Sequence, residues 1–399
     1  MTHADRAHAR LAPSAAHRWL ECPGSVRLSA GIDETPSAFA AEGTAAHMLA
    51  EKCMASGFDA ERFKGWTINT AAKDPKLAVQ MGWPVNNTTA FLVDAEMVKG
   101  VQLYLDVCRE IAGQAEEWAI EQRLDMSGVV PGVFGTGDFI AYTAGKVTIV
   151  DLKYGKGVSV DVENNPQLLT YVVGVVGRYH NRGVTDVELV IVQPRAPHRD
   201  GPVRRWQTDV VTLFDHIVSL QDAAEAAGRD DAPFKPGEAC RFCRAAGKCA
   251  ALYQRVREIT MTDPTVRMVR PWKEEQAEID LVKTWAKRCE EYHHAEALRG
   301  NMPMGAKLVG KRPTRKWKDE SDAVATLQLA GVSDDDIFAS SVRSPAQLEK
   351  LLSKGERGLL TELVVKSSSG TVLAPLDDPR PAVDPADASG FDDHSEGAD

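Results

Sequence analysis

A hairpin pattern in the middle of the 399-residue chain places the strongest constraint on its fold. Two runs rich in β-branched and aromatic residues, 139–142 and 146–153, flank a short turn that contains Gly145. Because glycine readily adopts a positive φ, the pattern predicts two antiparallel strands joined by a tight turn. If the loop consists of two residues, the register that follows places Asp138 directly opposite Asp151.

Two facing carboxylates have a chemical consequence. Directly opposed side chains have Cβ atoms roughly 4.5–5.5 Å apart, and like charges there are destabilising, so Asp138 and Asp151 favour a bound cation. Lys153 projects from the same face as Asp151 because strand side chains alternate. A metal held by two acids beside a lysine suits phosphodiester hydrolysis, since the metal activates water and the lysine offsets developing charge. The other interpretation is an ordinary sheet edge whose acids are solvated.

A helix is predicted shortly after these strands. Gln167 and Tyr171 are four residues apart and therefore share one helical face. Asn164 or Asn165 is suited to cap this helix, and Pro166 is favourable in its first turn. The sequence thus presents a glutamine and a tyrosine together, close in the chain to the two acids.

These positions resemble the motifs of the PD-(D/E)XK nucleases of the RecB-like branch: Gly137-Asp138, Asp151-Leu152-Lys153, Gln167 and Tyr171. The resemblance covers roughly residues 10–255. It implies a restriction-endonuclease-like α/β core, in which a mixed central sheet is flanked by helices. It also implies that the two acids hold Mg²⁺ or Mn²⁺ and that the lysine, glutamine and tyrosine belong to the catalytic site.

Two further residues are candidates for the same site. His47 lies in an alanine-rich segment, predicted to be helical near 42–55, and a lone histidine there is usually packed or exposed. RecB-like nucleases have a Gly-x-x-x-His element upstream of the acids, and Gly43 to His47 match it, which implies that His47 joins the metal site. Glu121 lies on the predicted strand 118–124, where it either faces the site or is solvated.

The seven cysteines form a second pattern. An odd number in a chain of this length does not favour a disulfide framework. Cys240, Cys243 and Cys249 lie within ten residues, which favours a thiolate site for zinc or an iron–sulfur cluster. In RecB-like proteins such as AddB-type subunits and CRISPR-associated exonucleases, a fourth cysteine lies far upstream. That resemblance implies a [4Fe–4S] cluster with Cys22 as the fourth ligand; zinc or no metal are the alternatives.

The domain organisation follows from the same patterns. Residues 1–257 are predicted to form the nuclease domain with its iron–sulfur staple, with 57–90 as a polar insertion and 158–162 as a further strand. Residues 258–375 are predicted to form a mostly helical accessory region. The Asp- and Pro-rich segment 376–399 is predicted to be a disordered acidic tail.

The charge distribution bears on possible partners. The formal net charge of −10 argues little against nucleic acid, because the last 24 residues carry −7 of it. The segment 307–318 carries six basic residues around Trp317. It either contacts phosphates and stacks on a base or forms a solvated surface strand.

The sequence therefore predicts a Mg²⁺- or Mn²⁺-dependent deoxyribonuclease, an exonuclease rather than an endonuclease. No apolar run is long enough to span a bilayer and no export signal is present, so we expect a cytoplasmic, non-membrane protein. The stretch from Cys22 to Ser25 resembles a phage- or prophage-encoded group, which implies DNA and phage recombination or replication proteins as partners. The alternatives are a catalytically silent DNA-binding recombination accessory and a zinc-stapled interaction protein.

Overall fold

A computed structural model describes most of the chain. The described residues are 9–32, 38–72, 78–82, 84–156, 158–267, 269–311, 314–318, 320–338, 344–345, 347–348, 352, 356–367, 371–375 and 380–384. The chain divides into two compact units, Met1–Glu290 and Glu291–Asp399.

The first unit alternates helices with strands. Its helices are α1 (Ala16–Glu21), α2 (Gly24–Leu28), α3 (Ala38–Ser56), α4 (Ala95–Ala112), α5 (Pro166–Arg178), α6 (Thr212–Gly228), α7 (Ala250–Met261), α8 (Pro264–Arg267) and α9 (Trp272–Leu298), which continues into the second unit. Its strands are β1 (Trp66–Asn69), β2 (Val79–Met81), β3 (Ala90–Leu92), β4 (Glu117–Asp125), β5 (Phe134–Thr143), β6 (Lys146–Leu152), β7 (Asp186–Val192) and β8 (Val203–Asp209). Short 3-10 helices lie at Pro13–Ala15, Ala60–Phe63, His180–Arg182, Glu238–Phe242 and Ala246–Lys248.

A five-stranded mixed sheet forms the centre of this unit, in the order β4-β5-β6-β7-β8. Strands β6 and β7 pair in parallel and the other neighbours are antiparallel. Side chains alternate between two hydrophobic cores: Ile140 and Tyr142 lie in the core that includes α5 and α6, and Phe139 and Ala141 lie in the core that includes α3 and α4. The predicted α/β class, with a mixed sheet flanked by helices, is confirmed.

The predicted hairpin is also confirmed. Strands β5 and β6 pair from Thr143–Lys146 to Phe139–Val150, in the predicted register. Ala144 and Gly145 both take a positive φ, 45° and 84°, as a two-residue hairpin turn requires. The register of β5 against β6 then follows from a local turn of two residues.

Two segments of this unit differ from expectation. The predicted polar insertion 57–90 contributes to a three-stranded sheet, β2-β1-β3, whose buried Ile68 and Phe91 pack in the same core as α3 and α4. The predicted strand 158–162 is wrong. The backbone of this segment forms hydrogen bonds with a side chain instead of a neighbouring strand. The Gln193 side-chain amide accepts from Val160 N and donates to Val158 O.

The unit boundary lies later in the chain than the predicted residue 257. The first part of α9 belongs to the first unit because Leu281 and Trp285 pack in a hydrophobic cluster with the cysteine segment and α7. None of the described helices combines the length and apolar composition that crossing a membrane requires.

The second unit contains strands as well as helices. It contains α10 (Glu320–Leu329), α11 (Asp334–Ile337) and α12 (Leu360–Leu363), and the strands β9 (Ala306–Gly310), β10 (Thr314–Trp317), β11 (Val364–Ser367) and β12 (Thr371–Pro375). The strands form two two-stranded sheets, β10-β11 and β12-β9. Trp317 packs against the cluster that includes Leu327 and Ile337, which does not favour a base-stacking role. Of the predicted acidic tail, the structure describes residues 380–384 alone.

Candidate functional site

The candidate site lies where β5 and β6 separate. Their ladder ends at Phe139–Val150, one position before the two acids. The Asp138 carboxylate reaches across this gap, and its Oδ2 accepts a hydrogen bond of 2.8 Å from the Leu152 amide. The predicted pairing of the two acids therefore falls just beyond the last ladder pair, where an acid replaces a backbone carbonyl as hydrogen-bond acceptor.

His47 is brought to this point by α3. Its Nδ1 lies 3.5 Å from Asp138 Oδ1. Burial opposes a charge on the imidazole, but the Asp138 carboxylate outweighs burial and raises the pKa of His47 to about 9. Burial likewise opposes ionisation of Asp138, while His47 outweighs it and lowers the pKa of this carboxyl. In the absence of metal, the two residues form an internal ion pair.

Glu121 joins them through an unusual backbone conformation. The β4–β5 register pairs Ile120 with Phe139 and then Gln122 with Gly137, so Glu121 falls opposite Asp138 without pairing to it. Its φ is 47°, in the left-handed region that non-glycine residues rarely adopt. Such strain persists only where the surroundings impose it, and it is concentrated at functional sites.

The three side chains form a ligand group. One nitrogen or oxygen of each of His47, Glu121 and Asp138 lies within 4.8 Å of those of the other two. Carboxylate oxygens with one imidazole suit Mg²⁺ or Mn²⁺, and imidazole also accommodates zinc and iron. Position 121 is the residue whose role the sequence left open, and its place in the register opposite Asp138 is the signal that identifies it.

Asp151 lies beside this group and is held by a different set of partners. Its side chain is 3% exposed, and its Oδ2 lies 2.7 Å from Lys153 Nζ. Its Oδ1 accepts from Gln167 Nε2 at 3.2 Å. Burial raises the pKa of Asp151, Lys153 lowers it and Asp138 raises it, with a net increase. The two acids are thus shifted in opposite directions.

The glutamine and tyrosine of α5 complete this chain of contacts. Asn165 caps the helix, with its side chain accepting from Leu168 N, and Pro166 occupies the first turn, as predicted. Lys153 Nζ donates to Gln167 Oε1 at 2.9 Å, and Gln167 Nε2 lies 3.3 Å from Tyr171 Oη. Burial raises the pKa of Tyr171, so its hydroxyl remains protonated. The six residues predicted for one site therefore lie in one place.

The four predicted cysteine ligands also converge. Cys22, Cys240, Cys243 and Cys249 line a single pocket, together with apolar side chains such as Phe234 and Leu28. More than two hundred residues separate the first of these cysteines from the other three. The pocket is built by α1, α2 and the two 3-10 helices around the CRFC segment.

Polar groups around this pocket point at sulfur. The backbone amide of Lys235 donates to Cys22 Sγ at 3.4 Å, and that of Gly237 donates to Cys240 Sγ at 3.5 Å. Ser29 Oγ lies 3.8 Å from Cys243 Sγ. Amide and hydroxyl donors of this kind are what sulfur ligands of a metal centre need, because they stabilise thiolate charge away from water.

The spacing of the sulfurs separates two classes of metal centre. In tetrahedral zinc sites with Zn–S bonds of about 2.3 Å, the sulfurs lie about 3.8 Å apart. Among the described residues, no three of the cysteine sulfurs lie within 4.8 Å of one another. A cubane cluster holds each thiolate on a different iron, which spreads the sulfurs further apart. Both kinds of centre take thiolate ligands such as these four.

The fold and these two sites define an α/β protein that carries a carboxylate–histidine ligand group where two inner strands of a mixed sheet separate, with a separate four-cysteine pocket. The chain belongs to the family described as "Protein of unknown function (DUF2800)", whose sequence profile matches residues 8–381. The match includes every candidate site residue and most of the second unit.

Proposed function

We propose that the protein is a Mg²⁺- or Mn²⁺-dependent deoxyribonuclease of the PD-(D/E)XK type, acting as an exonuclease. The observation that carries the proposal is the convergence of His47, Glu121 and Asp138 within 4.8 Å of one another, beside the bonded set of Asp151, Lys153 and Gln167. Buried, paired acids whose pKa values move in opposite directions are typical of catalytic sites.

The proposed metal would bind at the ligand group. His47, Glu121 and Asp138 would hold a divalent ion, and Asp151 would join them if its carboxylate left Lys153. When bound, such an ion polarises the scissile phosphate and lowers the pKa of an attacking water. The donors are hard oxygens and one imidazole nitrogen, a combination that Mn²⁺ and Mg²⁺ accept.

The remaining residues handle charge and orientation. The Lys153 ammonium would orient the attacking water and offset the negative charge that develops on the phosphate. Gln167 fixes Lys153 by accepting its hydrogen bond, and Tyr171 in turn contacts Gln167. Because three consecutive polar contacts restrain the ammonium, its orientation requires little rearrangement when substrate binds.

We also propose a [4Fe–4S] cluster in the cysteine pocket, held by Cys22, Cys240, Cys243 and Cys249. The apolar lining and the amide donors to sulfur support a cluster, and the four thiols that line one pocket would be its ligands. Its role would be structural, because it joins segments that are far apart in sequence. With DNA as substrate, the enzyme would act in phage-type recombination, replication or repair in the cytoplasm, alongside other proteins of those processes.

The test is incubation of the purified protein with end-labelled linear single- and double-stranded DNA in Mg²⁺, Mn²⁺ or EDTA. We expect metal-dependent release of nucleotides or short products from DNA ends. The Asp151→Asn variant tests the site, and Asp161→Asn is its matched control because Asp161 is an exposed acid that pairs with His198 instead. DNA binding without cleavage in either metal would reject the proposed enzyme and favour a catalytically silent DNA-binding accessory protein.

A further inference from the structure

A buried arginine outside the ligand group connects two parts of the candidate site. One is α3, which carries His47, and the other is the end of β6, which carries Asp151 and is followed by Lys153. Arg195 follows β7 by three residues, and its side chain is 5% exposed. Its Nη1 lies 2.8 Å from Glu42 of α3, and its Nε lies 3.3 Å from Glu96 of α4. Its guanidinium also lies over the Tyr154 ring, 4.4 Å from the ring centroid.

Two of these partners, Glu42 and Tyr154, are close in sequence to site residues. Glu42 precedes His47 by five residues on α3, a separation of about 7.5 Å along the helix axis. Tyr154 directly follows Lys153, which pairs with Asp151. The arginine therefore contacts both the helix that presents the histidine and the strand end that presents the second acid and the lysine.

The surrounding packing leaves little freedom for these elements to shift. A Cβ at Gly100 of α4 would lie 2.9 Å from the Tyr154 ring and 3.0 Å from Pro194. A glycine is therefore required where α4 meets the segments that flank the arginine. Lys156 extends the same network, since its Nζ lies 3.0 Å from Glu96 Oε2.

We propose that Arg195 is a positioning residue for the metal site, which sets the place of His47 relative to Asp151 and Lys153. The guanidinium suits this role because its fixed fork can pair with two carboxylates while its face lies on an aromatic ring. It does not touch the ligand group itself. The inference rests on the proposed metal site, and its effect is on the affinity of that site for the ion.

The test measures Mn²⁺ binding to the metal-free full-length protein, with the ion alone as the probe, together with melting temperature. We expect Arg195→Gln to weaken Mn²⁺ binding by about 10- to 100-fold, as is usual when a residue that orients a metal ligand is removed. Arg195→Lys should restore part of this loss because it keeps one charged contact. The matched control is Arg267→Gln, which breaks another arginine–glutamate pair, to Glu275, on helices α8 and α9.

The proposal would be overturned if Arg195→Gln had a lower melting temperature but an unchanged affinity for Mn²⁺. The arginine would then stabilise the fold without positioning the metal site. If Arg195→Gln does not fold, Glu42→Gln replaces it, because that variant removes only the contact to α3. Unchanged affinity there overturns the proposal equally. If the wild-type protein takes up no Mn²⁺, the proposed metal site fails as well, so the two failures are distinguishable.

Discussion

The carboxylate site and the cysteine pocket differ in how their ligands are stabilised before any metal arrives. In the carboxylate site two of the three acids have a cation within the protein, because His47 pairs with Asp138 and Lys153 pairs with Asp151. In the cysteine pocket, burial raises the pKa of Cys22, and it raises that of Cys240 to about 11. These thiols remain protonated at neutral pH, and a metal must displace their protons to bind.

This difference separates a site that the fold forms by itself from one that contributes to forming the fold. The acids and the histidine lie on a sheet and a helix that already have their own hydrophobic cores. The cysteines join α1 and α2 to a segment more than two hundred residues away, in a small cluster with α7 and α9. We therefore expect damage to the pocket to affect folding and damage to the carboxylate site to affect activity.

The largest effect should follow from loss of a pocket cysteine. Protein purified without oxygen should be brown, with about four irons and four sulfides per chain. Cys22→Ala should remove the colour and lower the free energy of unfolding by about 5 kcal/mol or more, because ligand binding here is folding free energy. Iron analysis and chemical denaturation measure both quantities.

Cys53→Ala is the matched control for this prediction, because Cys53 is a buried cysteine of the other core, where burial raises its thiol pKa to about 12. Its iron content should equal that of the wild type. Colour that survives in Cys22→Ala would remove the long-range connection, and a colourless protein with one zinc per chain would reject the cluster.

The second effect concerns catalysis. Lys153→Met should lower the rate of DNA cleavage by about 10²- to 10³-fold, since it removes a preorganised charge from the transition state. Combining it with Asp151→Asn should cost little more, because residues that act as one unit are not additive. Because Lys153→Met leaves the buried Asp151 without its cation, the melting temperature should fall, and cleavage is measured well below it. Undiminished cleavage by folded Lys153→Met would reject the site.

The third effect separates stability from metal binding at Glu121. Glu121→Gly should stabilise the metal-free protein by about 1 kcal/mol, because glycine adopts a φ of 47° without strain. It should also weaken Mn²⁺ binding by about 10- to 100-fold through loss of a carboxylate ligand. Thermal unfolding and Mn²⁺ titration measure the two effects on one sample.

Ala144→Gly provides the comparison for this variant, because Ala144 also has a positive φ, 45°, but lies in the hairpin turn. It should bring a similar gain in stability with unchanged Mn²⁺ affinity. A Glu121→Gly protein that binds Mn²⁺ as tightly as the wild type would exclude Glu121 from the ligand group.

The predictability of each feature depended on whether its cause is local. The hairpin register follows from one short turn, so the meeting of Asp138 with the end of β6 could be derived from spacing. The helix that carries Gln167 likewise follows from its cap and its proline. The convergence of Cys22 with the other cysteines has no local cause, and it was expected only because of the family resemblance.

The features that sequence reasoning missed depend on long-range partners. Residues 158–162 alternate like a strand, but β6 already has β5 and β7 as neighbours, and Gln193 supplies the hydrogen bonds instead. The pairing of β9 with β12 joins segments about sixty residues apart, which no local pattern indicates. Glu121 needs a left-handed backbone within a strand, which no propensity favours.

The smallest effect concerns the contact between α5 and α6 and depends on pH. His216 of α6 is half-buried, and its Nε2 lies 3.1 Å from Thr170 Oγ1. Because that hydroxyl donates to Pro166 O, it accepts from the histidine, which fixes the proton on Nε2. Burial lowers the pKa of His216 to about 4.

The folded protein favours neutral His216, because the pKa of this histidine is about 4 in the folded state and near 6.5 in the unfolded chain. The full stability is therefore present above pH 6.5, and it is lost progressively as the pH falls towards 4. We expect no effect of His216 ionisation at pH 7 and a loss of about 1–2 kcal/mol by pH 5, because the unfolded chain takes up a proton that the folded chain resists. His216→Asn should flatten the stability profile between pH 6.5 and 4. The exposed His180 is the control, and His180→Asn should retain the wild-type slope. An unchanged slope in folded His216→Asn would show that acid sensitivity arises elsewhere, with the carboxylate site as the next place to examine.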